Sequence, residues 1–296
     1  MHTKKQIRRL LESQSVSPDK RLGQNFLIDL NLMELLVKTA RIAPEDTVLE
    51  VGCGTGSLTQ ELAKTAALII GVEIDEKLYK ITESQTADFE NVILIRDDIL
   101  ARKSELSGKV LSTLESAKQE RGGKLLLVAN LPYQVGCPLI SNLVTGAVRV
   151  DKMFVTVQKE VAYRLTADMG DEHYGILSIL LTATGQAKIE RILRPDVFWP
   201  APDVDSAFVT YEKNSEKVGQ IRDMDLLKEL VSTIINHRRK MVKSCLKYVT
   251  GRLQNVGDWE KLLEKVRIDQ RKRPQQLSPE DYVNLANAVY DCLQNR

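Results

Sequence analysis

The stretch Thr47-Val48-Leu49-Glu50-Val51-Gly52-Cys53-Gly54-Thr55-Gly56 is an apolar run that ends in three glycines, each separated from the next by one residue. The apolar residues predict a buried strand, and the pattern from Ser57 onward predicts a helix directly after the turn. Glycines keep such a turn tight and allow a ligand to approach the backbone closely. The spacing is GxGxG, which differs from the GxGxxG of dinucleotide-binding enzymes. A turn without a ligand also uses glycines, so this stretch alone leaves both interpretations open.

Strands and helices alternate on the C-terminal side of this turn. Further strands are predicted at residues 67–72, 92–96, 124–129 and 152–158. Such alternation predicts a parallel sheet with right-handed crossovers. Ligands of these sheets bind outside the carboxyl ends of the strands. We therefore predict an α/β fold in which the residues that follow the strands meet at one edge of the sheet.

Two acidic residues follow predicted strands at this edge. Glu73 ends the second strand, where a carboxylate can accept hydrogen bonds from the two hydroxyls of a ribose. Asp98 follows the third strand, where it can accept a hydrogen bond from an adenine amino group. Acids are common at strand ends, so neither residue is decisive alone. Together with the glycine turn they favour a cofactor that contains adenosine.

The motif Asn130-Leu131-Pro132-Tyr133 follows the fourth strand. An adenine amine is a poor nucleophile because its lone pair is delocalised into the ring. Acceptors for both amine protons favour the pyramidal geometry that attacks a methyl sulfonium, and the Asn130 side-chain oxygen and the Leu131 carbonyl are the predicted acceptors. Tyr133 is predicted to stack on an extruded base. Asn and Pro are also frequent in ordinary turns, so the motif alone does not decide between a site for the substrate base and a turn without a ligand.

An aromatic and proline-rich segment, Phe198-Trp199-Pro200-Ala201-Pro202, lies further along the chain. Its prolines predict a rigid, extended conformation. Phe198 is the candidate for the second face of the base-stacking pocket. Packing in the core or a hinge between domains is the alternative for the neighbouring Trp199.

The charge is unevenly distributed. Residues 213–296 contain 17 Lys and Arg against 11 Asp and Glu, whereas residues 22–212 contain 19 against 27. Because the basic part is helical in pattern, we predict one domain over residues 1–212, with a basic N-terminal leader, and a helical domain over residues 213–296 whose charge suits a polyanion such as RNA. A solvated helix face is the alternative interpretation of its basic clusters. The predicted RNA-binding residues are Arg238, Arg239, Lys240, Lys243, Arg271, Lys272 and Arg273.

Composition excludes several other classes. The four cysteines contain no CxxC pair and there are three histidines, so neither a metal site nor a disulfide framework is predicted. The strongest apolar runs have the length of strands, which does not predict a membrane span. The charged N-terminus has no apolar segment behind it, so no secretory signal is predicted. We expect a cytoplasmic protein.

The ordered set of motifs is similar to that of the ribosomal RNA adenine dimethyltransferase family, specifically the KsgA type that acts on 16S RNA. The matching stretches are Lys20-Arg21-Leu22-Gly23-Gln24-Asn25-Phe26-Leu27, the strand and glycine turn at 49–56, Asn130-Leu131-Pro132-Tyr133, Gln158-Lys159-Glu160-Val161, Tyr174-Gly175, the segment at 198–206, His237-Arg238-Arg239-Lys240 and the region from Arg273-Pro274 to Leu285. The resemblance implies a Rossmann-like S-adenosylmethionine-dependent methyltransferase fold with a small, all-helical C-terminal domain. The cofactor-binding positions that it implies are Asn25, Leu27, Gly52, Glu73, Asp98 and Asn130.

The resemblance also implies a reaction and a partner. The family converts two adjacent adenosines near the 3′ end of 16S rRNA to N6,N6-dimethyladenosine, and it acts on the assembling small ribosomal subunit. We expect a monomer. Two alternatives stay open, namely an adenine methyltransferase of large-subunit RNA and an assembly factor that binds the small subunit without catalysis. A dinucleotide-dependent oxidoreductase is disfavoured because GxGxxG is missing.

Overall fold

The computed structural model describes residues 1–19 and 22–294, so Lys20 and Arg21 of the first matching motif lie outside the described residues. Contacts divide the chain into two compact units. The first, called the sheet unit, consists of residues 1–143, 148–162 and 188–212. The second, called the helical unit, consists of residues 144–147, residues 163–187 and the chain from residue 213 onward.

The strands, in chain order, are β1 (Phe26–Leu27), β2 (Thr47–Val51), β3 (Leu68–Glu73), β4 (Val92–Arg96), β5 (Leu100–Arg102), β6 (Glu105–Leu106), β7 (Leu125–Asn130), β8 (Lys152–Gln158), β9 (Gly185–Leu193), β10 (Phe198–Trp199) and β11 (Ser206–Lys213). The helices, in chain order, are α1 (Lys4–Ser13), α2 (Leu30–Ala40), α3 (Ser57–Ala63), α4 (Glu76–Gln85), α5 (Gly108–Glu120), α6 (Gly136–Thr145), α7 (Lys159–Thr166), α8 (Ile176–Thr184), α9 (Ser215–Gly219), α10 (Met224–Ile235), α11 (Val242–Cys245), α12 (Trp259–Lys265) and α13 (Pro279–Gln294).

A seven-stranded sheet with the order β4-β3-β2-β7-β8-β11-β9 organises the sheet unit. Strands β4, β3, β2, β7 and β8 are parallel, and β11 is antiparallel to β8. The predicted α/β architecture is therefore confirmed. The chain runs outward from β2 through β3 to β4 and then returns to place β7 on the other side of β2. This reversal of order creates a crevice at the carboxyl ends of β2 and β7, where such sheets bind ligands.

Strands β9 and β11 are not among the predicted strands. Most residues of β9 are exposed or half-buried, because it lies at the edge of the sheet. An edge strand of this kind lacks the continuous apolar run by which buried parallel strands are identified in a sequence. By contrast, every residue of β2 and β3 is buried, and both strands occur where they were expected.

The helical unit includes a segment that the predicted boundary at residue 212 assigns to the catalytic domain. Residues 163–187 belong to the helical unit because their apolar side chains join its core. Tyr174 is fully buried there, and its hydroxyl donates to the Leu277 carbonyl oxygen at 2.8 Å. Since these residues are about a hundred positions apart, no local pattern indicates the contact.

The apolar spacing over residues 226–247 predicts one continuous helix, whereas the structure divides this segment into two helices. Helix α10 ends at Ile235, a turn follows over 236–240, and α11 begins at Val242. The Val242 N–H donates to the Lys272 carbonyl oxygen at 2.8 Å, so a distant segment bonds to the N-terminus of α11. This interaction offsets the helical hydrogen bonds that the turn interrupts.

In the part of the chain that the structure describes, no helix is both long and apolar enough to cross a bilayer.

Candidate active site

An open cleft lies at the carboxyl ends of the parallel strands, as the fold predicts. Its empty volume is about 830 Å³, including the solvent at its mouth. The predicted cofactor-binding residues that line it are Asn25, Gly52, Glu73, Asp98 and Asn130. These residues come from loops separated by up to about a hundred positions in the chain, and the topology of the sheet brings them to one edge.

Leu27 occupies a different position from the other predicted cofactor residues. It is buried in the core and lines a smaller cavity behind the glycine turn. Glu50 of β2 lines the same cavity, and its Oε2 has no hydrogen-bond partner among the described groups. Burial raises the pKa of Glu50 to about 8. Its side chain is therefore mostly protonated at neutral pH, which avoids an isolated buried charge.

The glycine turn is shaped for close approach of another group. Gly52 has φ +79°, and a Cβ placed on it would lie 3.0 Å from Cγ of Pro132. Gly54 has φ +61°, and its Cβ would lie 3.1 Å from Cε1 of Phe26. Both positions therefore exclude side chains by backbone conformation and by space. The turn forms a cradle of bare backbone at the cleft.

Glu73 is held rigidly in the wall of the cleft. Its Oε2 accepts from the Gly54 N–H at 2.9 Å, and its Oε1 accepts from the Asp75 N–H at 3.0 Å. Burial raises the pKa of Glu73, although these backbone hydrogen bonds oppose the shift. Each carboxylate oxygen has a second lone pair, so the group retains the capacity to accept hydrogen bonds from a ligand.

The adjoining part of the cleft combines an acid with apolar side chains. Asp98 is exposed and its Oδ1 accepts from the Leu100 N–H at 2.9 Å, while its Oδ2 has no partner among the described groups. Ile74 is 50% exposed, and Ile99 also lines the cleft. A carboxylate beside apolar surfaces suits a flat heterocycle with an amino group. The bare backbone, Glu73 and this acid therefore fit an adenosine-containing ligand.

Asn130 is fixed by hydrogen bonds on both sides of its amide group. Its Nδ2 donates to the Asn25 carbonyl oxygen at 2.7 Å, and its Oδ1 accepts from Oγ1 of Thr156 at 2.5 Å. A backbone carbonyl only accepts, so these contacts determine which amide atom is the oxygen. The Leu131 N–H donates to the Thr156 carbonyl oxygen at 3.1 Å. Strand β8 therefore orients the start of the Asn-Leu-Pro-Tyr motif.

Thr156 is a site residue that the sequence analysis does not identify. It is 1% exposed and lies in β8 among apolar neighbours. A single threonine in an apolar strand is a common feature with no chemical implication. Only the pairing of Asn130 with Thr156 across β7 and β8 reveals its contact with the motif.

Tyr133 is anchored through its hydroxyl. The phenol oxygen and Oγ of Ser206 form a hydrogen bond of 2.7 Å, in which either can donate. Burial raises the pKa of Tyr133, so the phenol stays neutral at physiological pH. Ser206 is fully buried at the first position of β11. Its bond restricts the position of the ring that is predicted to stack on the substrate base.

Phe198 lies in the hydrophobic core of the sheet unit, which differs from its predicted place beside the substrate base. It is 3% exposed, pairs with Leu27 across β1 and β10, and packs with Leu32 and Phe208. Burial of an aromatic ring among apolar side chains is the favourable arrangement for it. Its role in stacking stays a prediction, and it requires the ring to leave this core. The ring of Trp199, by contrast, stacks on the ring of Phe26, with 6.4 Å between the two ring centroids.

The predicted RNA-binding residues lie on the surface of the helical unit, and all of them are exposed. The backbone bond from Val242 to Lys272 places the two basic clusters side by side. Arg271 forms an ion pair with Asp269, which reduces its availability to another anion.

Over residues 1–19 and 22–294, no group of three or more His, Cys, Asp or Glu side chains could hold a metal ion.

The chain is similar to known proteins over nearly its whole length. A sequence model of the family described as "Ribosomal RNA adenine dimethylase" matches residues 17–291. The protein named "Ribosomal RNA small subunit methyltransferase A" from Ligilactobacillus salivarius is 34% identical over 95% of this chain and 93% of its own length. A protein of the same name from Caldanaerobacter subterraneus subsp. tengcongensis is 35% identical over 92% of this chain and 97% of its own length.

Solved structures have the same fold. A dimethyladenosine transferase from Plasmodium falciparum superposes with a TM-score of 0.70 at 21% identity, covering 88% of this chain and 95% of that one. A 23S rRNA methyltransferase, ErmE, superposes with a TM-score of 0.62 at 20% identity, covering 90% of this chain and 100% of that one. At this level of identity the similarity concerns the fold alone.

Proposed function

The chain belongs to the ribosomal RNA adenine dimethylase family, and we propose that it dimethylates the N6 amines of two adjacent adenosines near the 3′ end of 16S rRNA. It is an S-adenosylmethionine-dependent methyltransferase that acts on ribosomal RNA. The observation that carries the proposal is the Asn130 amide, whose oxygen is oriented by Thr156 and whose nitrogen is bonded to Asn25 at the cleft. The name shared by the bacterial relatives supports the small subunit as the target.

The cleft residues would hold the methyl donor by the groups already described. S-adenosylmethionine, when bound, supplies a methyl group on a positively charged sulfur. Glu73 would accept hydrogen bonds from the ribose hydroxyls, and Asp98 would accept from the adenine amino group. The cradle at Gly52 admits the donor close to the backbone. Asn25 and Leu27 lie on the chain segment that passes beside the glycine turn.

The chain contributes orientation in place of acid–base catalysis. The Asn130 Oδ1 and the Leu131 carbonyl would accept hydrogen bonds from the two protons of the target amine, while Tyr133 supports the base. These acceptors direct the nitrogen lone pair toward the methyl group, and positioning of this kind contributes strongly to rate. The amine nitrogen would gain the methyl group as the donor's sulfur–methyl bond breaks and leaves a neutral thioether. The methylated amine would then carry a positive charge and readily lose a proton to water. A second transfer to the same nitrogen gives the dimethylated product.

The helical unit would bind the phosphates of the RNA. The predicted residues of its basic clusters are Arg238, Arg239, Lys240, Lys243, Arg271, Lys272 and Arg273. Exposed cations close to one another favour a polyanion, and their contribution falls as salt increases. The partner would be an assembling small ribosomal subunit in the cytoplasm, with the protein acting as a monomer.

The proposed target is tested with labelled S-adenosylmethionine and ribosomal particles that lack adenine dimethylation. We expect label in small-subunit RNA, recovered as N6,N6-dimethyladenosine after digestion to nucleosides. Label in large-subunit particles would instead support an enzyme of the large subunit. Binding to small-subunit particles without any label would indicate an assembly factor that does not catalyse methylation.

We expect Thr156→Val to lower kcat about tenfold, because the variant keeps the shape of the side chain and removes the donor that orients Asn130. The dissociation constant of S-adenosylmethionine should change little, because the Thr156 hydroxyl contacts Asn130 and does not line the cleft. Thr156→Ser retains a hydroxyl and should recover most of the rate. Single-turnover methyl transfer measures both variants. A wild-type rate for Thr156→Val would show that the amide needs no such donor.

A further inference from the structure

An exposed aromatic side chain lies within the basic surface of the helical unit and has no part in the proposed function so far. Tyr248 is 46% exposed and does not belong to the hydrophobic core of this unit. The ring of His237 stacks on it with a centroid distance of 4.1 Å and an interplanar angle of 29°. The Lys240 Nζ lies 2.6 Å from the Tyr248 hydroxyl oxygen. The same Nζ lies over the phenol ring, 4.8 Å from its centroid. His237 and Lys240 therefore both hold the ring in place.

The surroundings of Tyr248 are strongly basic. Residues 230–257 contain no Asp or Glu. The exposed cations of this stretch that form no ion pair within the described part of the chain are Arg238, Arg239, Lys240, Lys243 and Lys247. Arg252 differs, because it pairs with Asp223 and Glu229. Five cations without an ion pair on the same stretch of chain as an exposed aromatic ring are suited to an anionic ligand that also carries a flat ring.

We propose that Tyr248 and His237 form a stacking platform for one unpaired base of the ribosomal RNA, which rests on the proposed function. His237 and Lys240 both contact the phenol ring and leave Tyr248 46% exposed, so this exposed part of the ring is the surface that a base can cover. Base stacking on aromatic side chains beside phosphate-binding cations is the general mode by which proteins bind unpaired RNA. The phosphates on either side of the stacked base lie on Lys240, Lys243 and Lys247.

The chemistry favours RNA over an acidic protein segment. Carboxylates need cations alone, and the same cations without an aromatic ring would serve them equally. An exposed ring that is already stacked on an imidazole offers a flat π-surface, for which a nucleobase is the matching group. The platform therefore adds a contribution to RNA binding that does not depend on charge.

The test compares Tyr248→Leu with Tyr248→Phe. The first removes the aromatic ring and keeps an apolar side chain, and the second keeps the ring and removes the hydroxyl. The affinity for undimethylated small-subunit particles is measured across a range of salt concentrations. A second probe is a short single-stranded RNA that contains 2-aminopurine, whose fluorescence is quenched by stacking. The double variant Arg238→Ala with Arg239→Ala serves as the charge control, and circular dichroism confirms that each variant is folded.

We expect Tyr248→Leu to lower the affinity for the particle about tenfold with no change in salt dependence, and to abolish the quenching of 2-aminopurine. Tyr248→Phe should retain both. The charge control should reduce the slope of log affinity against log salt by about one unit for each phosphate that the variant no longer neutralises. Wild-type affinity and quenching for Tyr248→Leu would overturn the platform. A reduced salt slope for Tyr248→Leu would overturn it as well, because the tyrosine would then act by holding Lys240.

Failure of the proposed function gives a different result. If the wild-type protein transfers no methyl group to small-subunit particles, the assignment of the reaction is wrong, whatever the effect of Tyr248. If the wild-type protein methylates these particles and Tyr248→Leu binds them as tightly as the wild type does, the reaction stands and the platform alone is wrong.

Discussion

Asn130→Ala is expected to lower the rate of methyl transfer at least about a hundredfold, since it removes the acceptor that we propose orients the target amine. The loss should appear in kcat, and the affinity for RNA should be unchanged because the basic clusters of the helical unit are intact. The alanine also removes the hydrogen bonds to Asn25 and Thr156. Rapid-quench measurement of a single turnover, with saturating S-adenosylmethionine and particles, isolates the chemical step.

A matched asparagine separates catalysis from stability. The Asn91 side chain also makes two hydrogen bonds, to the carbonyl oxygens of Ala63 and Ala66, and it does not line the cleft. Asn91→Ala should therefore destabilise the fold to a similar degree and leave the rate of transfer unchanged below the unfolding temperature. If Asn130→Ala transferred methyl groups at the wild-type rate, Asn130 would not be the acceptor.

Glu73→Ala is expected to weaken the binding of S-adenosylmethionine about a hundredfold or more, because it removes the carboxylate that we propose accepts two hydrogen bonds from the ribose hydroxyls. Isothermal titration calorimetry measures the dissociation constant directly. Glu76→Gln is the matched control, because Glu76 is an exposed acid of the same region that pairs with Lys80 and Arg96. Unchanged affinity for Glu73→Ala would exclude the ribose contact.

The pH dependence of this affinity gives a second test of Glu73. Burial raises the pKa of its carboxyl group from the ordinary value of a glutamate. The ionised form is the stronger acceptor, so affinity should be highest above this raised pKa and should fall as the pH decreases through it. Glu73→Gln carries no titratable group at this position, so the component of the pH dependence that belongs to Glu73 should be absent.

Much of the sheet unit could be predicted because its central strands β2, β3, β7 and β8 are almost entirely buried. The apolar runs of β2, β4 and β8 have the predicted bounds. Glycines and acids that follow such strands must meet at one edge of a parallel sheet, so the cleft-lining positions of Gly52 and Glu73 followed from the order of elements. The similarity of the motifs to one family also predicted the reaction class, which the comparisons confirm.

The features that were not predicted depend on contacts between distant segments. The ring of Phe198 is buried because β10 pairs with β1, and α10 ends at Ile235 where the following chain bonds to residues 270–272. Neither contact changes the local periodicity of the sequence. Thr156 became part of the site only because β8 lies beside β7.

The sequence by itself therefore determined the class of fold, the family and the places of Gly52, Glu73 and Asp98 at the cleft, because burial and strand order act through local composition. Tertiary structure decided how those residues are oriented. The direction of the Asn130 amide, the anchoring of Tyr133 by Ser206 and the stacking of His237 on Tyr248 are all set by partners distant in the chain or across a turn. Hydrogen bonds and ring contacts depend on direction as well as proximity, and only the packed chain specifies that direction.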